Sequence, residues 1–90
     1  MVRYRLELGQ ILITAGAHET LNLKDAAHCL VCHANGDFGI VSEEDKALNE
    51  EALESGDRIL SAYRDRNGVK FWIITEWDRS VTTILLPSEY

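Results

Sequence analysis

The tightest constraint on this chain is the dipeptide Asn67-Gly68, set between two strand-like runs, Arg58 to Arg66 and Val69 to Trp77. Asn-Gly is the pair favoured by a two-residue type I′ turn, because both central residues of that turn need positive φ. The chain is therefore predicted to fold back here as an antiparallel hairpin. Counting outward places Arg66 opposite Val69, Asp65 opposite Lys70, Arg64 opposite Phe71, Tyr63 opposite Trp72 and Ala62 opposite Ile73, with Asp65 and Lys70 complementary in charge. A second tight turn at Asp78-Arg79 returns Ser80 to Leu86 as a third strand, and Pro87 ends it because proline has no N–H for a ladder.

Upstream, Leu6, Leu8, Gln10 and Leu12 alternate with Glu7, Gly9, Ile11 and Ile13, which predicts a strand in which Gly9 marks a bulge or a close backbone approach. The period then changes. Leu23, Ala26, Ala27, Leu30 and Val31 recur at helical spacing, and Asn22 is placed to cap a helix over about Leu23 to Ala34. Asn35-Gly36-Asp37-Phe38-Gly39 supplies a turn with Phe38 directed into the core. Ser42 opens a second helix and Gly56 closes it; Ala47, Leu48, Ala52 and Leu53 form a thin apolar stripe beside Glu43, Glu44, Asp45, Glu50, Glu51 and Glu54. Ninety residues make one domain. The expected fold is α+β over residues 1–90: an N-terminal strand, two helices, then a C-terminal three-stranded antiparallel meander, forming a curled sheet of about four strands.

The hairpin register sorts side chains by face. Leu60, Ala62, Phe71, Ile73, Ile84 and Leu86 fall on one side as the core, while Ile59, Tyr63, Trp72, Ile74, Val81 and Leu85 make the other side apolar as well. Either the two helices divide between the faces, or one face stays open as an interface to a protein partner or a second copy. In the second case Tyr63, Trp72, Ile74 and Leu85 are the binding anchors, since large aromatic residues dominate interface energy. Fifteen acidic against nine basic residues give a net charge of −6. That balance repels phosphates and anionic membranes, so neither nonspecific nucleic-acid binding nor membrane association is expected. Met1 to Glu7 contains no apolar core of a signal peptide, and the expected compartment is the cytoplasm.

Two clusters carry candidate chemistry. His28-Cys29-Leu30-Val31-Cys32-His33 contains the C-x-x-C-H pattern of covalent haem attachment and the residue types of a zinc site. On a helix Cys29, Cys32 and His33 share a face, with His28 one turn from Cys32. The only methionine is the initiator, which leaves no axial ligand for haem, and no second ligand cluster accompanies the first. The favoured reading makes the cysteines small packing groups and the histidines favourable charges at a helix end, with no cofactor expected. Glu76, Asp78 and Arg79 gather with Thr82 and Thr83 around the second turn, as acid/base work would require, although Asp-Arg at a turn is commonly a solvated pair. No phosphate-cradling loop, dinucleotide fingerprint, nucleophile elbow or His-Glu-x-x-His motif is present.

The run from Ile73 to Tyr90, together with Asp57 to Tyr63, Gly36-Asp37-Phe38-Gly39 and Leu8-Gly9-Gln10-Ile11, resembles a family of small plasmid-related bacterial proteins. The resemblance spans nearly the whole chain and implies carriage on a mobile element rather than a particular mechanism. Cys32 departs from the family pattern while His33 fits it. A weaker likeness, in the order of elements and at Asp57-Arg58-Ile59-Leu60, is to barnase-type and RelE-type ribonuclease toxins. It implies a catalytic set drawn from Glu76, Arg58, Arg79 and His33. The expected function is a mobile-element-borne, acidic, protein-binding or inhibitory module, directed against a nucleic-acid-processing system of the host. The alternative is a ribonuclease or a degenerate relative of one.

Overall fold

The computed structural model describes residues 5–90. Four strands, β1 (Gln10–Ile13), β2 (Ile59–Arg64), β3 (Lys70–Thr75) and β4 (Val81–Leu85), form one sheet in the order β1-β4-β3-β2. Between β1 and β2 lie three helices, α1 (Ala15–Thr20), α2 (Leu23–Ala34) and α3 (Glu43–Ser55), and the chain ends in a 3-10 turn, Pro87–Glu89. The α+β class and element order follow the expectation. β1 is shorter than the alternation of residues 6–13 suggests and runs parallel to β4. The short helix α1 is additional, and Thr14 caps it by accepting from the Ala17 N–H.

The two longer helices begin where their caps predict. Asn22 accepts from the Asp25 N–H and Ser42 from the Asp45 N–H, while Gly56 closes α3 in the left-handed conformation. Of the expected apolar set of α2, Ala26 is buried and Leu30 partly buried against the core, where Cys29 and His33 join them, whereas Leu23, Ala27 and Val31 are exposed. Phe38 is buried, as expected.

The first hairpin differs by one residue from the type I′ expectation. The observed pairs are Arg64↔Lys70, Tyr63↔Phe71, Ala62↔Trp72 and Ser61↔Ile73. Asp65 causes the difference. Its Oδ1 accepts from the N–H groups of both Asn67 (2.9 Å) and Val69 (3.0 Å), and its Oδ2 from that of Asn22. These bonds hold its carboxyl below the usual carboxylate range. Asp65 therefore closes a three-residue loop instead of pairing with Lys70, and only Gly68, at φ +81°, takes the left-handed position. A one-residue shift exchanges the faces of β2 relative to β3. Ile59 and Tyr63 now join Phe71, Ile73 and Ile84 on the helix-covered face, and Leu60 and Ala62 join Trp72, Ile74 and Leu85 on the other.

The helix-covered face carries two apolar clusters. Ala17, Leu21 and Ala26 pack on Tyr63, Phe71, Ile73 and Ile84, while Ala52 of α3 packs on Ile59, Phe38 and Leu6. Against the second face lies the C-terminal turn, whose Tyr90 ring meets Trp72 edge-on at 5.6 Å. The second turn is centred as predicted but spans Trp77 to Ser80, closed by the Glu76 N–H to the Val81 carbonyl. Gly9 is a close approach: a Cβ there would lie 2.3 Å from the Ser80 carbonyl oxygen. Gly39 is another, with the Ala62 carbonyl oxygen 2.0 Å from such a Cβ.

Candidate functional site

Of the four proposed catalytic residues, His33 and Arg79 are tied into structural hydrogen bonds. His33 is fully buried beneath the helix-covered face, with Nδ1 2.6 Å from Ser61 Oγ and Nε2 2.8 Å from Thr75 Oγ1. The chain continues from Thr75 Oγ1 to Thr82 Oγ1 (2.8 Å) and ends at the Leu8 carbonyl oxygen (2.7 Å). That terminus sets the direction of every bond. A carbonyl only accepts, so Thr82 donates to Leu8, Thr75 to Thr82, Nε2–H to Thr75, and the Ser61 hydroxyl to Nδ1. His33 is thus a neutral Nε2–H tautomer, and burial, reinforced by the nearby Arg79 charge, pushes its pKa down to about 4. The Ser61–His33 contact resembles a nucleophile–base pair, but both residues have no exposed surface through which a substrate could reach them.

Arg79 sits in the second turn at φ +61°. Its guanidinium donates to the carbonyl oxygens of Ala52 (2.8 Å), Asp57 (2.7 Å) and Glu76 (3.2 Å). Helix α3 has no basic residue in its last turn, and Arg79 supplies the missing cation at the negative end of that helix. Asp78 accepts from both the N–H and the hydroxyl of Ser80, which braces the same turn. Arg58 and Glu76 flank the paired residues Ile59 and Thr75 at one end of the second face. His33 lies across the sheet from them, so the four side chains do not converge on one reacting atom.

The cysteine cluster is likewise dispersed. Cys29 and Cys32 are half-buried against the core, and burial raises both thiols, Cys29 to about 11, which disfavours thiolate chemistry. The nearest approach is Cys32 Sγ to His28 Nε2 at 3.8 Å. Both nitrogens of His33 are already hydrogen-bonded to hydroxyls. Among the described residues no group of three or more His, Cys, Asp or Glu is placed to hold a metal ion. No helix of the described residues is long and apolar enough to cross a membrane.

One of the four proposed anchors, Tyr63, separates from the other three, which stay together on the second face. Tyr63 is buried in the main core on Phe71, with its hydroxyl donating to the Asp37 carbonyl. Ile74 and Leu85 are buried on the second face, and Trp72 is half-buried beside them. What the structure adds is a groove of about 210 Å³ lined by Asp45, Leu48, Asn49, Arg58 and Leu60, between α3 and the outer edge of β2. Leu48 stands 60% exposed on its wall. Arg58 extends the wall: it hydrogen-bonds the Tyr90 hydroxyl and lies 5.4 Å from the ring centroid, and Tyr90 in turn packs on Trp72. The sequence marked Trp72 and the acidic helix. It held no local sign of the Arg58–Tyr90 contact, which spans 32 positions.

Charge is concentrated at this edge. Helix α3 holds six carboxylates and one lysine, net −5 of the chain's −6. Asn49 of the same helix seals the outer edge of β2, donating Nδ2–H to the Leu60 carbonyl (2.8 Å) and accepting from the Leu60 N–H (3.3 Å). The Phe38–Ile40 segment covers the next step: Ala62 donates to Phe38, and Ile40 donates to Ala62. No family model, no curated protein and no solved structure matches this chain.

Proposed function

We propose that the protein is a binding module, and that the groove between α3 and β2 takes an apolar side chain presented by a cationic segment of a protein partner. The observation that carries this reading is Leu48, more than half exposed on a helix that holds nearly all of the molecule's net charge and on the wall of a groove in which Leu60 and Leu48 lie among Asp45, Asn49 and Arg58. Exposed carboxylates alone are a solvated surface; beside a groove with two leucines in its lining they favour Lys- and Arg-rich partners over neutral ones. Arg58, Tyr90 and Trp72 provide an aromatic and cationic rim on the other side. A mobile-element protein with this surface suits the basic, nucleic-acid-facing side of a host protein, where it would act by occupying that side.

The test is a selection of random displayed peptides on the immobilised protein, with a Leu48→Glu variant as counter-target. Supporting peptides carry an apolar residue flanked by Lys or Arg, lose binding to Leu48→Glu, and weaken as salt rises from about 50 to about 500 mM, where screening shortens to a few ångströms, ~4 Å. Peptides without basic enrichment, or equal binding to the variant, would overturn the reading. Tyr63 is not a useful variant here, because truncating a buried core tyrosine disrupts packing rather than the surface.

A further inference from the structure

The two edges of the sheet are treated very differently. The β2 edge is covered at Leu60 by the Asn49 amide and at Ala62 by Phe38–Ile40. Strand β1, at the other edge, pairs only with β4 among the described residues. Gln10 and Thr14 donate their N–H groups inward to Ser80 and Ile84, so by alternation Ile11 and Ile13 direct their N–H and C=O groups outward. Among the described residues this edge is guarded only by its shortness: Gln10-Ile11-Leu12-Ile13 contains no charge and no proline, and Ile11 and Leu12 are 49% and 44% exposed.

We propose that β1 is the dimer interface, pairing antiparallel with β1 of a second copy about a two-fold axis at Leu12 to give one continuous eight-stranded sheet. Face parity restricts the register, since residues directly opposite each other point to the same side. An axis at Leu12 satisfies parity and uses every outward backbone group: Ile11 and Ile13 of the second copy exchange both main-chain bonds, and the symmetry-related pair does the same. The two Leu12 side chains then meet at the axis, and Ile11 meets Ile13 of the second copy on the helix-covered face. Charge favours a second copy at this edge and not at the other. Helix α3, with its net −5, packs at the β2 end. Joining through β1 keeps the two acidic helices apart by about seven strand spacings, roughly 33 Å, several screening lengths at physiological salt. The interface is independent of the proposed groove, which lies at the opposite edge.

Sedimentation equilibrium of the full chain from micromolar to millimolar concentration tests the proposal. Twice the chain mass is expected for the native sequence, and Leu12→Lys should weaken dimerisation about a hundredfold with an unchanged circular dichroism spectrum, because like charges would face each other across the axis. A second arm fixes the register without relying on that variant. In a C29S/C32S background, oxidation should cross-link L12C, whose two copies face each other in a non-hydrogen-bonded pair. The same treatment should leave I11C uncross-linked, since its copies lie roughly 8 Å apart, beyond disulfide reach. A native chain that is monomeric at every concentration, a Leu12→Lys chain that still dimerises, or cross-linking of I11C in place of L12C would each overturn the assignment.

Discussion

His33 shows how a residue type that suggests chemistry can serve packing. It is polar, yet both ring nitrogens have hydroxyl partners and no described buried side-chain N or O lacks a hydrogen bond. Its depressed pKa makes folding pH-dependent. An unfolded histidine takes up a proton near pH 6.5, whereas the buried ring resists until about pH 4. The unfolded state therefore binds more protons in that window, and stability falls as pH drops from 6.5 towards 4, by roughly 3 kcal/mol in total. Denaturant titrations at half-unit pH steps should show this decline. His33→Leu should flatten it while lowering stability at about pH 8 by about 2–4 kcal/mol, because the Ser61 and Thr75 hydroxyls lose a buried partner. An unchanged pH slope in the variant would assign the decline to other groups.

At the level of elements, α3 is stabilised from outside itself. Its C-terminal half carries Glu50, Glu51 and Glu54, with like charges at i,i+3 and i,i+4 and towards the unfavourable end of the helix dipole. Arg5 relieves Glu50, donating to both of its carboxylate oxygens, and Arg79 donates to the Ala52 carbonyl in the last turn. Glu54→Lys removes both repulsions and sets a cation one turn after Glu50, the favourable order for an acid–base pair on a helix. Thermal unfolding should therefore shift upward by the equivalent of about 0.5–1 kcal/mol. The same variant should bind cationic peptides more weakly, which separates the helix's stability from its proposed use. Asn49 acts on a neighbouring element. Asn49→Ala strips the Leu60 N–H and C=O of their partners, and a loss of about 1–3 kcal/mol is expected together with faster hydrogen exchange at the Leu60 amide. Retained protection at Leu60 would show that another group seals that edge.

For the whole molecule, the sheet is asymmetric in both charge and exposure. One edge is sealed and acidic, and the other is open and apolar. The proposed groove and the proposed dimer edge thus occupy opposite ends of one sheet, and a dimer would present two grooves facing outward. Binding of a bivalent cationic ligand should then exceed that of its monovalent half only in the native chain and not in Leu12→Lys, a comparison readable by calorimetry.

Sequence was sufficient for the ends of the two longer helices, which are closed by residues within about four positions of one another. Asn22, Ser42 and Gly56 bound α2 and α3 because caps and left-handed closures are local. Tertiary structure decided what depends on distant partners. Asp65, which accepts from Asn67 and Val69 within the loop and from Asn22 across 43 positions, closes a three-residue loop in place of a two-residue one, and only the Asn22 contact is beyond local reach. Because side chains alternate along a strand, that single residue exchanged Tyr63 with Ala62 between the faces. It moved one predicted anchor into the core. His33 was legible as a helix-end residue but not as the centre of a hydrogen-bonded chain, since Ser61, Thr75 and Thr82 reach it only through the sheet. The α3 groove and the bare β1 edge belong to the same class: each is defined by which segments pack alongside, and that is settled only when the whole chain folds.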